Sequence, residues 1–220
     1  MKKIGIILLL LSVNLFFAQQ RPGIGLETVN HTGTKEEVLN YSTIEGSPFL
    51  NNEFIPAKAV CCDETAPMRY DMYADEIQYQ KQGLVYTLLK QEPYSKIVFT
   101  QPNTTIVLAD VNKNNQLGYY IILVDGKNSL LKKNSIAIET NVDPKKTGFG
   151  KKDQSSSFKI NEPVYYIKTE KDLYRILKSK KDIFDLYPEK NTELNTFFDT
   201  NKIKFSKEES LLKLVNFLNK

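Results

Sequence analysis

The change of apolar period along the chain most constrains its fold. From about residue 36 to residue 168 the apolar residues arrive in short runs separated by turn signals: Gly46-Ser47-Pro48, Ala74-Asp75, Gln82-Gly83, Gln101-Pro102-Asn103 and Asp125-Gly126. Such spacing predicts short antiparallel strands. After Ile167 the period lengthens to that of a helix. The fold class expected is therefore α+β: an antiparallel, curved sheet or open barrel followed by three short C-terminal helices. Expected strands are 37–44, 54–61, 68–73, 76–81, 84–89, 96–100, 105–110, 117–124, 128–133 and 164–167.

The strongest single element is LGYYIILVDGKNSLLKK, residues 117–133. Asp125-Gly126 between two apolar runs predicts a hairpin with a type I′ turn. Tyr119, Ile121 and Leu123 on one face and Tyr120, Ile122 and Val124 on the other predict a central strand covered on both sides. In the tail, Thr169-x-x-Asp172 predicts the cap of a helix over Leu173, Ile176 and Leu177, with a short turn after it. Pro188 is suited to the first position of a helix carrying Leu194, Phe197 and Phe198. Ser206 to Glu209 reads as a capping box for a helix whose stripe is Leu211, Leu214, Val215 and Leu218.

Lys2 and Lys3 followed by the apolar run from Ile4 to Phe17 and then Ala18 read as a signal peptide, residues 1–18, although Phe16 stands where a cleavage site takes a small side chain. Such a run rises only about 21 Å as a helix, short of a hydrocarbon core of roughly 30 Å. No Cys follows it to carry a lipid anchor. The expectation is an exported protein, periplasmic, outer-membrane associated or extracellular, with no transmembrane segment in the mature chain. Residues 19–35 read as a flexible leader, 36–168 as the β domain with a flexible loop at 143–157, and 169–220 as a helical segment packed on the sheet. The formal charge is +4, of which Lys2 and Lys3 supply two. That is far from the basic excess that a phosphate backbone requires, so nucleic acid is not an expected partner.

Three stretches bear a wider likeness: GSPFLNNEF followed by PMRYDMYADEIQYQKQG, the hairpin GYYIILVDGKNSLLKK, and the tail IFDLYPEKNTELNTFFDTNKIKFSKEESLLKLVNFLN. Together they resemble a family of secreted, functionally uncharacterised β-plus-helix proteins of flavobacteria and their relatives in the Bacteroidetes. The resemblance implies export and the same fold class, and brings no cofactor or catalytic residue with it.

Familiar chemistries each lack a member. His31 is the single histidine and lies in the leader without an acid or Cys at metal spacing, so Ser-His-Asp and Cys-His mechanisms have no base. Ser129-Leu130-Leu131-Lys132 and Lys146-Thr147-Gly148 match two penicillin-recognising signatures, but the first falls in a strand and no S-D-N stands between them. Asp110, Asn112 and Asn114 begin like a calcium loop, which then fails at Asn115 and Ile121, where Gly and Glu are needed. An Asn-rich turn is the plainer reading. No metal and no cofactor is expected.

Cys61 and Cys62 are adjacent. Disulfides span about 4.4–6.8 Å between Cα atoms, whereas a trans peptide sets neighbours 3.80 Å apart. No disulfide within the chain is therefore expected, and the pair reads as a strand segment with one thiol facing each side; a redox-sensing vicinal bond is the other reading. The remaining polar concentration is Asp63, Glu64, Arg69, Asp71, Tyr73, Asp75 and Glu76. Arg69, Asp71, Tyr73, Asp75 and Glu76 are the candidate ligand-binding residues, since carboxylates converging there could hold a cation or a sugar, or act on a glycoside. Lys145, Lys146, Lys151 and Lys152 could touch anionic lipid.

Three functions follow as expectations. The first is a non-catalytic exported protein whose sheet face binds an envelope protein or other envelope component. The second is a carrier of a small apolar ligand such as lipid, seated in a hollow between sheet and helices and lined by some of the 12 Tyr and 12 Phe. The third is a hydrolase dependent on Asp71, Asp75 and Glu76.

Overall fold

The computed structural model describes residues 28–30, 39–114, 116–142, 154–172 and 174–220. The signal segment, His31, most of the leader, Lys146-Thr147-Gly148 and the four lysines at 145–152 lie outside the described residues. Its strands are β1 (Thr28–Asn30), β2 (Ile55–Ala59), β3 (Thr65–Asp71), β4 (Glu76–Lys81), β5 (Leu84–Leu88), β6 (Lys96–Thr100) and β7 (Asn103–Ala109). They continue with β8 (Gly118–Val124), β9 (Ser129–Lys133), β10 (Ile136–Val142), β11 (Gln154–Ile160), β12 (Val164–Lys168) and β13 (Tyr174–Ile176). Three helices follow: α1 (Lys180–Leu186), α2 (Asn191–Thr200) and α3 (Glu208–Leu218).

Eleven strands form one antiparallel sheet in the order β1-β5-β4-β3-β2-β6-β7-β8-β9-β12-β13, and β10-β11 form a separate hairpin. The large sheet does not close into a barrel, so the α+β expectation holds in its open form. It is nevertheless strongly curled. Five strand spacings separate β3 from β9, roughly 24 Å in a flat sheet, yet Asp75 in the β3–β4 turn accepts hydrogen bonds from Lys133 at the end of β9 and from the Tyr119 amide of β8. Gly118 permits this approach: a Cβ there would stand 3.2 Å from both the Asp75 carboxylate and the Lys133 ammonium. The strap at residues 45–50 adds a second tie. Leu50 N–H donates to the Tyr70 carbonyl and Phe158 N–H to the Glu45 carbonyl, linking β3 to β11.

Alternation divides the buried residues by face. Across β2 to β8 the inner face carries Ala57, Met68, Tyr70, Ile77, Phe99 and Ile106, all at most 1% exposed. Farther along, the same face carries Leu130, Tyr165 and Ile167, covered by Ile183 of α1, Leu194 and Phe198 of α2, and Leu211, Leu214, Val215 and Leu218 of α3. The stripe expected for the last helix is thus its buried face. Asn128 locks that helix end: its amide N–H donates to the Asn219 side chain, its side-chain amide donates to the Leu218 carbonyl, and its side-chain oxygen accepts from Tyr187.

Several expectations need correction. The segment expected as a first strand at 37–44 contains a 3-10 turn at Tyr41–Thr43, capped by the Asn40 side chain. Residues 154–157 belong to β11, not to the loop, because Ser155, Ser156 and Ser157 pair with Asn141, Thr140 and Glu139 of β10. Thr169 to Asp172 closes a turn, with Asp172 at a φ of 52°, and Tyr174 to Ile176 then pair with β12 as a strand. Helix α1 instead occupies most of DIFDLYP, the segment expected as the short turn, and is led by Ser179, whose amide donates to Asp182. Helix α3 is led by Lys207 rather than Ser206. The Asp125-Gly126 hairpin forms, but Gly126 has no positive φ and the loop widens through Asn128, whose backbone docks Asn219. A type I′ pattern occurs instead at Gln82-Gly83, where both residues have positive φ.

Candidate functional site

Face parity separates the acidic residues that stand together in sequence. Asp71 and Glu76 are opposite partners across β3 and β4, and they share the outer face with Arg69 and Gln78. The Asp71 side chain is fully buried. It accepts hydrogen bonds from the Tyr41 hydroxyl at 3.0 Å and from the Tyr73 and Ala74 amides at 3.0 and 2.9 Å. Three donors commit this carboxylate to closing the β3–β4 turn. Around it, Tyr41, Phe49, Tyr73 and Phe158 pack edge to face. The Arg69 guanidinium lies 3.5 Å over the Phe49 ring and 4.3 Å over the Phe54 ring, and donates to Gln78 at 2.9 Å. Burial pulls the Arg69 pKa below its usual value, with Asp71 opposing, and burial with Asp71 pushes the Tyr41 phenol up.

Asp75 goes to the inner face. Its left-handed backbone, with φ at 58°, redirects the side chain at the turn. The carboxylate accepts from the Tyr70 hydroxyl at 2.7 Å, from Lys90 at 3.1 Å, from Lys133, and from the Tyr119 amide. Burial, then Asp75, pushes the Tyr70 phenol far up, and burial pulls the Lys133 ammonium down against the attraction of Asp75. Next to this knot, the Tyr119 hydroxyl is buried and has no hydrogen-bond partner among the described residues.

The structure therefore brings together Arg69, Asp71, Tyr73 and Glu76, and separates Asp75 from them. Among the described residues no group of three His, Cys, Asp or Glu is placed to hold a metal ion. In the Asp110 loop, the aspartate accepts from the Asn114 amide, closing an Asn-rich turn. None of the described helices is long and apolar enough to cross a membrane.

A groove that sequence reading did not find lies on the outer face, over strands whose other face the described helices cover. Val107, Ala109, Ile122 and Leu131 line it, and Ala109 and Leu131 form with Tyr120 an apolar cluster in which no helix residue takes part. Its volume is about 290 Å³. Lys96, Asp125, Lys168 and Tyr174 stand at its polar side. Lys96 pairs with Asp125 at 3.4 Å and Lys168 with Asp172 at 2.8 Å. Both pairs are solvent-exposed, so each contributes little and is readily exchanged for another partner.

At the β2–β3 turn Cys61 and Cys62 are joined in a disulfide, correcting the expectation of none. Their Cα atoms are 3.8 Å apart, the spacing of an ordinary trans peptide. Alternation to opposite faces does not apply, because β2 ends at Ala59 and the Cys62 amide donates back to the Ala59 carbonyl. Cys62 is buried in the inner core and Cys61 is half-buried against it. No family model, curated protein or solved structure matches the chain.

Proposed function

We propose that this protein is an exported, non-catalytic binding protein that holds an envelope protein or other envelope component against the outer face of β6 to β9. The groove carries this reading: an apolar floor with charges of both signs at its rim, on a face that none of the described helices covers. At about 290 Å³ it stands at the bottom of the range of roughly 300–1,000 Å³ found for small-molecule pockets. It suits an anchoring side chain or small headgroup better than an acyl lipid. Sheet and helices meet through side chains packed to near-zero exposure, including Leu130, Ile167, Leu194 and Leu211. That packing speaks against a carrier hollow there. The hydrolase reading loses support from Asp71 and Asp75, which are saturated with donors on opposite faces.

The test compares tagged wild-type protein with Val107→Lys and, as a control, Lys159→Ala on β11, in capture from the native envelope. Bound proteins and lipids are identified by mass spectrometry. Val107 is half-buried, so a lysine can extend its ammonium to water without unfolding the sheet. Species held by the groove drop at least tenfold with Val107→Lys and stay with Lys159→Ala. Equal capture by all three proteins, or a cytoplasmic uncleaved chain on fractionation, overturns the reading.

A further inference from the structure

The Cys61–Cys62 bond is placed asymmetrically. Cys62 is 4% exposed and packs in the inner core with Ala59 and Met68, whereas Cys61 stands half-buried beside Val60, itself 58% exposed. An attacking thiolate must approach a disulfide sulfur along the line of the bond, so access decides which sulfur it reaches. Of the two, Cys61 is the more exposed and Cys62 is closed off. The bond also closes no long loop, so cutting it releases almost no chain entropy and leaves the fold intact. Lys58 pairs with Asp63 and Lys81 with Glu64 around the turn, leaving no net local charge from these four to repel a reductant.

We propose that Cys61–Cys62 is a thiol-exchange site of the folded protein, entered at Cys61 Sγ by a dithiol reductant. One thiolate of the dithiol bonds to Cys61 Sγ, the S–S bond breaks, and Cys62 leaves as a thiolate and takes a proton. The second thiolate then attacks the dithiol's own bonded sulfur and expels Cys61, which takes the other proton. The dithiol ends as a disulfide, oxidised by two electrons, and the cysteine pair is reduced by two. This site is independent of the groove.

The experiment exposes the oxidised full chain to dithiothreitol without denaturant, then labels with limiting N-ethylmaleimide and maps the peptides. The expected result is reduction of the native protein, unchanged in far-ultraviolet circular dichroism, with Cys61 labelled at least tenfold ahead of Cys62. In Cys62→Ser the remaining thiol reacts natively, and in Cys61→Ser it reacts only after urea is added. Resistance of the wild-type bond until the protein unfolds, equal labelling of the two positions, or two reactive thiols before reduction each overturns the proposal.

Discussion

Replacing Asp75 tests whether the curled sheet depends on the carboxylate that ties the β3–β4 turn to β8 and β9. Asp75→Ala leaves the Tyr70 hydroxyl, on a residue 1% exposed, without its acceptor; an unsatisfied buried donor costs about 1–3 kcal/mol. Lys133 and Lys90 lose their partner as well, but their side chains are 20% and 31% exposed and their ammoniums can turn to water. Each adds about 0.5–1 kcal/mol. Alanine at a left-handed position costs about 1 kcal/mol more. The expected loss is about 4 kcal/mol, a large part of the roughly 5–15 kcal/mol available to a domain. Asp75→Asn keeps an oxygen for Tyr70 and tolerates the backbone, so about half that loss is expected. The assay is urea unfolding followed by circular dichroism and tyrosine fluorescence, since the chain has no Trp. With a slope of about 2 kcal/mol per molar, the alanine variant unfolds about 2 M earlier. A double-mutant cycle with Tyr70→Phe isolates the hydrogen bond and should return about 1–2 kcal/mol of coupling. A loss under about 1 kcal/mol for Asp75→Ala, or zero coupling to Tyr70, refutes the reasoning.

Tyr119→Phe makes the opposite prediction at the neighbouring position. The hydroxyl it removes is buried and has no partner among the described residues, so stability rises by about 1 kcal/mol or holds, and a loss above about 1 kcal/mol in the same urea assay shows that the hydroxyl has a bond partner. Alkaline pH supplies another. Burial raises the phenols of Tyr70, Tyr119 and Tyr187 well above their ordinary value, and Tyr165 is pushed up to about 12 by burial and Glu208. Their folded values exceed the unfolded value of about 10, so the stability they contribute is whole below that pH and is lost as pH climbs toward the folded values. Lys133, held below its ordinary value, works the other way but is one group against four. Phenolate absorbance should therefore appear for these tyrosines only together with loss of circular dichroism, and smooth titration of all 12 near pH 10 with the fold intact contradicts it.

Strands were legible where apolar residues alternate between clear turn signals, as at 76–81 and 96–100, which are β4 and β6 to the residue. They were illegible where pairing, not composition, makes the strand. Ser155, Ser156 and Ser157 have weak strand preference, yet β10 and the Glu45 strap hydrogen-bond them on both edges. The spacing of Leu173, Ile176 and Leu177 suits a helical stripe equally well, but Tyr174 to Ile176 pair with β12, and that pairing overrides the local preference there. The last two helices were legible because each stripe had one large apolar face to cover, whereas α1 forms in the DIFDLYP segment, which reads as a turn.

The candidate site was less legible than the fold for a specific reason. Residues 69–76 are close in sequence, but a strand sends neighbours to opposite faces and the left-handed turn at Asp75 sends that carboxylate inward, so nearness along the chain did not make one site. The groove has the reverse property: Lys96, Val107, Ile122, Leu131, Lys168 and Tyr174 come from six strands, and no local motif joins them. The cysteine pair failed differently. The 3.8 Å spacing was known from the peptide geometry, but assigning the two thiols to opposite faces assumed a strand through residue 61. The strand stops at Ala59, and in the turn that follows the two sulfurs are bonded to each other. Two residues of error in a strand end thus reversed the chemistry read from the two cysteines.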